Sequence, residues 1–178
     1  MNSITMQKIY LFGSLTMAYV SSCISAQGSI LVYNNSLYTV KCIVTNQDAH
    51  NKIFYTQATL AAAPTNSDGS LQVHPVDEHY TADSHVPVGT VANVTFEHTP
   101  LNFDLQILDA AGKVVQQINI GSSLGKIVDN DPLRAVYIYS NLNSAGIPIP
   151  HGGGTIVYWD AAHPLEHPFV KNFVAKGA

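Results

Sequence analysis

Residues 102–120 read NFDLQIL, then DAAG, then KVVQQINI. In the first run Phe103, Leu105 and Ile107 alternate with Asn102, Asp104 and Gln106. A period of two is that of a strand with one face buried and one in water. The second run is again rich in β-formers. Between them, Asp109 opens a short loop and Gly112 can take the left-handed backbone such loops require. The stretch therefore predicts an antiparallel hairpin.

The same alternation spreads outward from it. Residues 91–97 (VANVTFE) place Ala92, Val94 and Phe96 opposite Asn93, Thr95 and Glu97. Residues 28–33 and 37–45 predict a second hairpin around Asn34-Asn35. Residues 134–140 (RAVYIYS) are apolar on both faces, as a central strand would be. Residues 154–159 (GTIVYW) make a last strand. Residues 52–63 (KIFYTQATLAAA) are strand-like at the front and helix-tolerant at the Ala-rich end, where Pro64 stops either. Some eight or nine short strands result, and no long amphipathic helix separates them. That pattern disfavours βαβ units and predicts an all-β fold: an antiparallel β-sandwich, Ig-like or jelly-roll-like, over residues 27–178.

Composition agrees. The chain has 178 residues, which suits one domain. Charged residues are 11%, against about 25% in ordinary proteins. With 46% hydrophobic residues, the chain can bury a core and does not match a disordered one. Seven Lys and one Arg form no basic run, so a nucleic-acid surface is not expected.

Residues 1–26 read as a signal peptide. Lys8 precedes twelve uncharged residues, 9–20 (IYLFGSLTMAYV), a run too short to span a bilayer as a helix. Ile24-Ser25-Ala26 resembles an ordinary cleavage site. Val20-Ser21-Ser22-Cys23 resembles a bacterial lipoprotein box, with Val where Leu is usual. The first implies a secreted or periplasmic protein, the second a lipid on Cys23 and an anchor at the envelope. Either leaves Cys42 as the one cysteine after processing. Tyr38, Val40, Cys42 and Val44 share one strand face, so Cys42 is expected to be a buried hydrophobe rather than a reactive thiol.

Four patterns could carry chemistry. All eight histidines follow residue 49, and residues 74–85 (HPVDEHYTADSH) combine three of them with acids. His74, Asp77, His79, Asp83 and His85 are therefore candidate ligands for zinc or copper. If extended, this segment would hold His79 and His85 roughly 20 Å apart, so a shared ion needs it to fold back or to recruit His98. His163 and His167 are four apart, but each precedes a proline, which opposes the helix that chelation would need. Gly121-Ser122-Ser123-Leu124-Gly125 resembles the nucleophile elbow of α/β-hydrolases, centred on Ser123. The helix that must follow is missing from the pattern. His151-Gly152-Gly153-Gly154 lacks the Lys-Ser/Thr of a phosphate loop and reads as a flexible connector.

Asn34-Asn35-Ser36 and Asn93-Val94-Thr95 are glycosylation sequons. Tyr33, Tyr38, Tyr55, Tyr80, Tyr137, Tyr139, Tyr158 and Trp159 suit carbohydrate or protein recognition if exposed, and core filling if not. The expectation is an exported, non-enzymatic binding module. It would meet a protein or carbohydrate ligand at loops 64–88 and 141–153, and a membrane only through a lipid on Cys23. A His-rich metal protein and a Ser123 hydrolase are the alternatives.

Overall fold

A computed structural model of the chain describes residues 28–74, 88–120, 135–158 and 169–175. They contain nine strands and no helix. The strands are β1 (Gly28–Asn35), β2 (Thr39–Gln47), β3 (Ile53–Leu60), β4 (Val91–Phe96), β5 (Thr99–Leu108), β6 (Val114–Asn119), β7 (Ala135–Ser140), β8 (Gly154–Tyr158) and β9 (Phe169–Phe173). They form two sheets, ordered β4-β1-β7-β8-β9 and β3-β2-β5-β6. The molecule is an antiparallel-dominated β-sandwich, with one parallel pair, β1 with β7.

The core follows from the alternation. Val40, Cys42 and Val44 of β2 meet Phe103, Leu105 and Ile107 of β5 on one inner face. Ile30, Val32, Ile138 and Ile156 supply the facing layer. Every strand contributes to this one cluster. Fully burying a side chain of this size stabilises the fold by about 1.5–3 kcal/mol. Cys42 is buried as expected, and desolvation pushes its thiol up to about 12. It is neutral and inert at ordinary pH. β7 is central and apolar on both sides: Val136 and Ile138 face the core, while Tyr137 stacks on Tyr33 at 4.6 Å on the outer face.

Three turns share one chemistry, and a fourth shares their backbone. In 48–52, 109–113 and 143–147 the first residue (Asp48, Asp109, Asn143) accepts at Oδ1 from the N–H groups two and four positions on. The fourth residue is left-handed: Asn51, Gly112 and Gly146 have φ of 63°, 78° and 76°. The 66–70 turn repeats the backbone pattern around Gly69. This is the type I turn with a left-handed residue that closes short hairpins.

Three expectations change. Residues 28–45 are not a hairpin, because β1 and β2 lie in different sheets and the chain crosses the sandwich at 36–38. Gly153 and Gly154 are not there for flexibility. A Cβ on Gly153 would collide with the Phe173 carbonyl, and one on Gly154 with the Tyr139 carbonyl and the Phe173 ring. They let β8 lie close against its neighbours. The strand at 154–158 is also not the last, because β9 pairs beside it with Phe173 in the core.

The two open sides of the sandwich differ. On one, edge strands β9 and β6 are tied by Lys171 Nζ donating to the Asn119 carbonyl at 2.6 Å and by the Val174 N–H donating to Gln116 Oε1 at 3.1 Å. On the other, edge strands β3 and β4 face each other, and the chain crosses between sheets at Glu97-His98.

Candidate functional site

The loops following β1, β3 and β7 emerge at one end of the sandwich. Their backbone is held by buried polar side chains. Asn34 Nδ2 donates to the Tyr38 and Ala61 carbonyls at 2.8 and 2.7 Å. Its Oδ1 accepts from the Ser36 hydroxyl at 2.6 Å and the Ser36 N–H at 3.2 Å. Asn35 clamps the far end of the 61–74 loop, donating to the His74 carbonyl at 2.8 Å and accepting from its N–H at 2.7 Å. The Leu37 N–H donates to Ser140 Oγ at 2.9 Å, and the Gly153 N–H donates to the Tyr38 hydroxyl at 3.2 Å. Burial raises the pKa of that hydroxyl, and the bond from Gly153 partly offsets it. These contacts satisfy backbone groups that leaving the sheets would otherwise strand.

On this frame the 141–153 loop forms a short ribbon, with Leu142 bridged to Pro148. Ile147 and Ile149 flank Pro148 and share the opposite face. Leu142, Ile147 and Ile149 are 53%, 36% and 41% exposed. The ribbon contains no Lys, Arg, Asp or Glu. Ile147 packs beside Gly69, so the structure brings the described part of 64–88 against 141–153. His151 sits on the ribbon, exposed, with φ of 56°.

The metal candidates are only partly described. His74 is buried rather than presented on a solvated loop. Its Nε2 lies 3.1 Å from Thr90 Oγ1, and its ring tilts against Tyr33 at 5.3 Å. Asp77, His79, Asp83 and His85 lie outside the described residues, as do Cys23, Ser123, His163, His167 and the segment 1–26. Among the described residues no three His, Cys, Asp or Glu side chains come together as a metal set.

The first sequon is closed to a glycan. Asn34 is fully buried and both ends of its amide are bonded. Asn93 is exposed on edge strand β4. The tyrosines separate as the sequence could not show: Tyr33, Tyr38, Tyr137 and Tyr158 are buried, and Tyr55 is 70% exposed.

Tyr55 belongs to a feature at the other end of the sandwich. A cleft of about 280 Å³ opens on the β3/β4 side. Phe54, Tyr55 and Thr56 of β3 line it, together with Thr95, Glu97 and His98 from the end of β4 and the crossing. Asn46 closes its inner end. Asn46 occupies an inward position of β2, where its neighbours are Val40, Cys42 and Val44. It pairs with Pro100, and the β2–β5 register slips there. Proline brings no N–H to the ladder, and Leu101 bulges out between Pro100 and Asn102. Asn46 is only 2% exposed, and its Nδ2 has no hydrogen-bond partner among the described residues. An unmet buried donor costs about 1–3 kcal/mol, so this end of the core is under-satisfied. Phe54 is flanked by the His98 ring at 4.5 Å and the Lys52 ammonium at 5.0 Å. Asp48 lies nearby, its carboxyl held below the usual range chiefly by the Lys52 N–H, with smaller help from His50 and His98. The signal that could have found this cleft was an Asn at a core position of an otherwise apolar alternation.

No family model matches the chain, and no curated protein sequence matches it. Among solved structures it is similar to intermedilysin, described as a human-specific toxin. The identity is 11%, over 83% of this chain and 23% of that one, with a TM-score of 0.26. A disulfide-locked mutant of intermedilysin solved with human CD59 gives 8% identity, 83% and 24% coverage, and a TM-score of 0.27. The chain spans about a quarter of the length of those proteins. Likeness at this level carries no functional argument.

Proposed function

We propose that the chain is an exported, non-enzymatic interaction module that meets a protein partner through the 64–74 and 141–153 loops. The observation that carries this reading is the ribbon: exposed aliphatic side chains on both faces of a charge-free loop, Ile147 and Ile149 on one and Leu142 on the other, braced from beneath by buried hydrogen bonds. Aliphatic tips depleted of charge match the centre of a protein interface. Saccharides favour exposed aromatic platforms, and near this end Tyr33, Tyr38 and Tyr137 are buried and Tyr139 is half-buried in their stack, so the geometry favours a protein over a carbohydrate here. Export rests on the leader-like segment 1–26.

The test substitutes Ile147→Asp and Ile149→Asp together. Both side chains are only partly exposed and Ile147 packs beside Gly69, so a modest fall in melting temperature is expected, and the variant is read for binding only where its circular dichroism matches that of the wild type. In a native extract of the exporting cell, the wild-type chain is expected to migrate as part of a larger complex and the variant alone. Losing two apolar anchors should weaken the complex by on the order of 2 kcal/mol or more. Identical migration of the two proteins would refute the reading.

A further inference from the structure

We propose that the cleft on the β3/β4 side is a binding site for a single neutral sugar unit. It lies at the opposite end of the sandwich from the aliphatic ribbon, so it is a second site and stands on its own observations.

The first is the shape. A cleft of about 280 Å³ is at the small end of the usual range of about 300–1,000 Å³ for ligand pockets, and admits one ring-sized molecule. The second is Asn46. Its amide borders the cleft at the inner end, is almost wholly buried, and has an unmet donor. The terminal torsion of an Asn side chain is a soft rotor, so an oxygen arriving in the cleft can draw Nδ2 onto itself. A ligand that supplies that oxygen satisfies a group that no described residue pairs.

The rest of the lining selects the chemical class. Thr56, on the inward face of β3, offers a hydroxyl that donates and accepts, while Thr95 and Glu97, exposed at the end of β4, border the rim with a hydroxyl and with acceptors only. A ligand must therefore both give and take hydrogen bonds around its edge, as a ring of hydroxyls does. Phe54, on the face of β3 that meets Asn46, adds aromatic surface, and the C–H face of a pyranose packs on such surface; Tyr55, on the outward face of β3, borders the rim only. Charge argues for neutrality. The Glu97 carboxylate disfavours an anion, and the Lys52 ammonium over Phe54 disfavours a cation. The strands that frame the cleft are edge strands of both sheets, and the Pro100 bulge frees the corner from regular pairing. This is where a sandwich can open a pocket without cutting its core.

The experiment is a nitrogen-edited NMR titration of the folded full chain. The probes are methyl glycosides of glucose, galactose, mannose and N-acetylglucosamine, with glycine and glutamate as charged small-molecule controls. At least one glycoside is expected to bind at millimolar strength and to shift the Asn46 side-chain amide with the backbone signals of Thr56, Thr95 and His98. Asn46→Leu removes the unmet donor and should weaken that glycoside about tenfold, while holding or raising the melting temperature. Thr95→Ala, at an exposed position, is the second variant and should weaken it severalfold. No glycoside shifting these signals would overturn the proposal, as would shifts confined to the ribbon end. Glycine or glutamate moving the cleft signals while the sugars do not would also overturn it. So would unchanged affinity in both variants.

Discussion

Gly153→Ala is expected to unfold the protein or cost it about 3–5 kcal/mol, from a left-handed backbone plus overpacking against rigid atoms. Gly153 has φ of 71°, and an added Cβ would run into the Phe173 carbonyl and the Val174 Cα. Both are backbone atoms of the neighbouring strand and its exit, so no side chain can swing aside. The clash would push β8 from β9 and release the Gly153 N–H from the buried Tyr38 hydroxyl. The control is Gly112→Ala. Gly112 has φ of 78° but nothing within 4 Å of the added carbon. It should cost about 1 kcal/mol, the backbone strain alone. Thermal or urea unfolding of the two variants measures the difference. Equal losses would mean that only the backbone angle of Gly153 matters, and that the close approach is unimportant.

Asn34→Ala is the second large loss, expected at about 3–5 kcal/mol from several broken bonds and buried groups left unpaired. The side chain binds the Tyr38 and Ala61 carbonyls and receives the Ser36 hydroxyl. Alanine removes both amide bonds where the chain crosses from one sheet to the other, leaving the Ala61 carbonyl without this donor and the Tyr38 carbonyl with only the longer bond from the Ser36 hydroxyl at 3.4 Å. Asn34→Asp keeps the acceptor and removes the donors, and it adds a buried charge. It should therefore be as damaging as alanine or worse. A loss of under about 1 kcal/mol in Asn34→Ala by urea unfolding would show that solvent reaches this corner.

Much of the architecture is visible in local sequence, because a strand's alternation is a local property. Phe103, Leu105 and Ile107 announce β5, and Asp109 with Gly112 announces the turn into β6. The pattern of 134–140 announces a central strand, and it is one. Which strands pair is a long-range matter. Nothing local says that the chain crosses the sandwich after Asn35, or that β1 lies parallel to β7. β9 was obscured by its length and by Pro164 and Pro168 just before it, though Phe169, Lys171 and Phe173 do alternate. The loop end was legible in outline, since Pro and Gly mark the ribbon. Its meaning was not, because exposure decides whether Ile147 and Ile149 are core or tip. The cleft was hidden for the same reason. Asn46, Thr95 and His98 are brought together by a bulge and a sheet crossing, and neither leaves a mark in composition. Histidine content pointed elsewhere: of the four described histidines, His74 braces a loop, His98 lines the cleft, and His50 and His151 are exposed on turns.

We propose that this module meets a protein through the aliphatic ribbon. The most direct measurement places a photo-reactive benzophenone side chain at Ile147, and separately at Gln57 on the outward face of β3, in the exporting cell. A discrete protein adduct is expected from position 147, none from position 57, and loss of the adduct when Ile149→Asp is added. No adduct from position 147, or the same adducts from both positions, would contradict it.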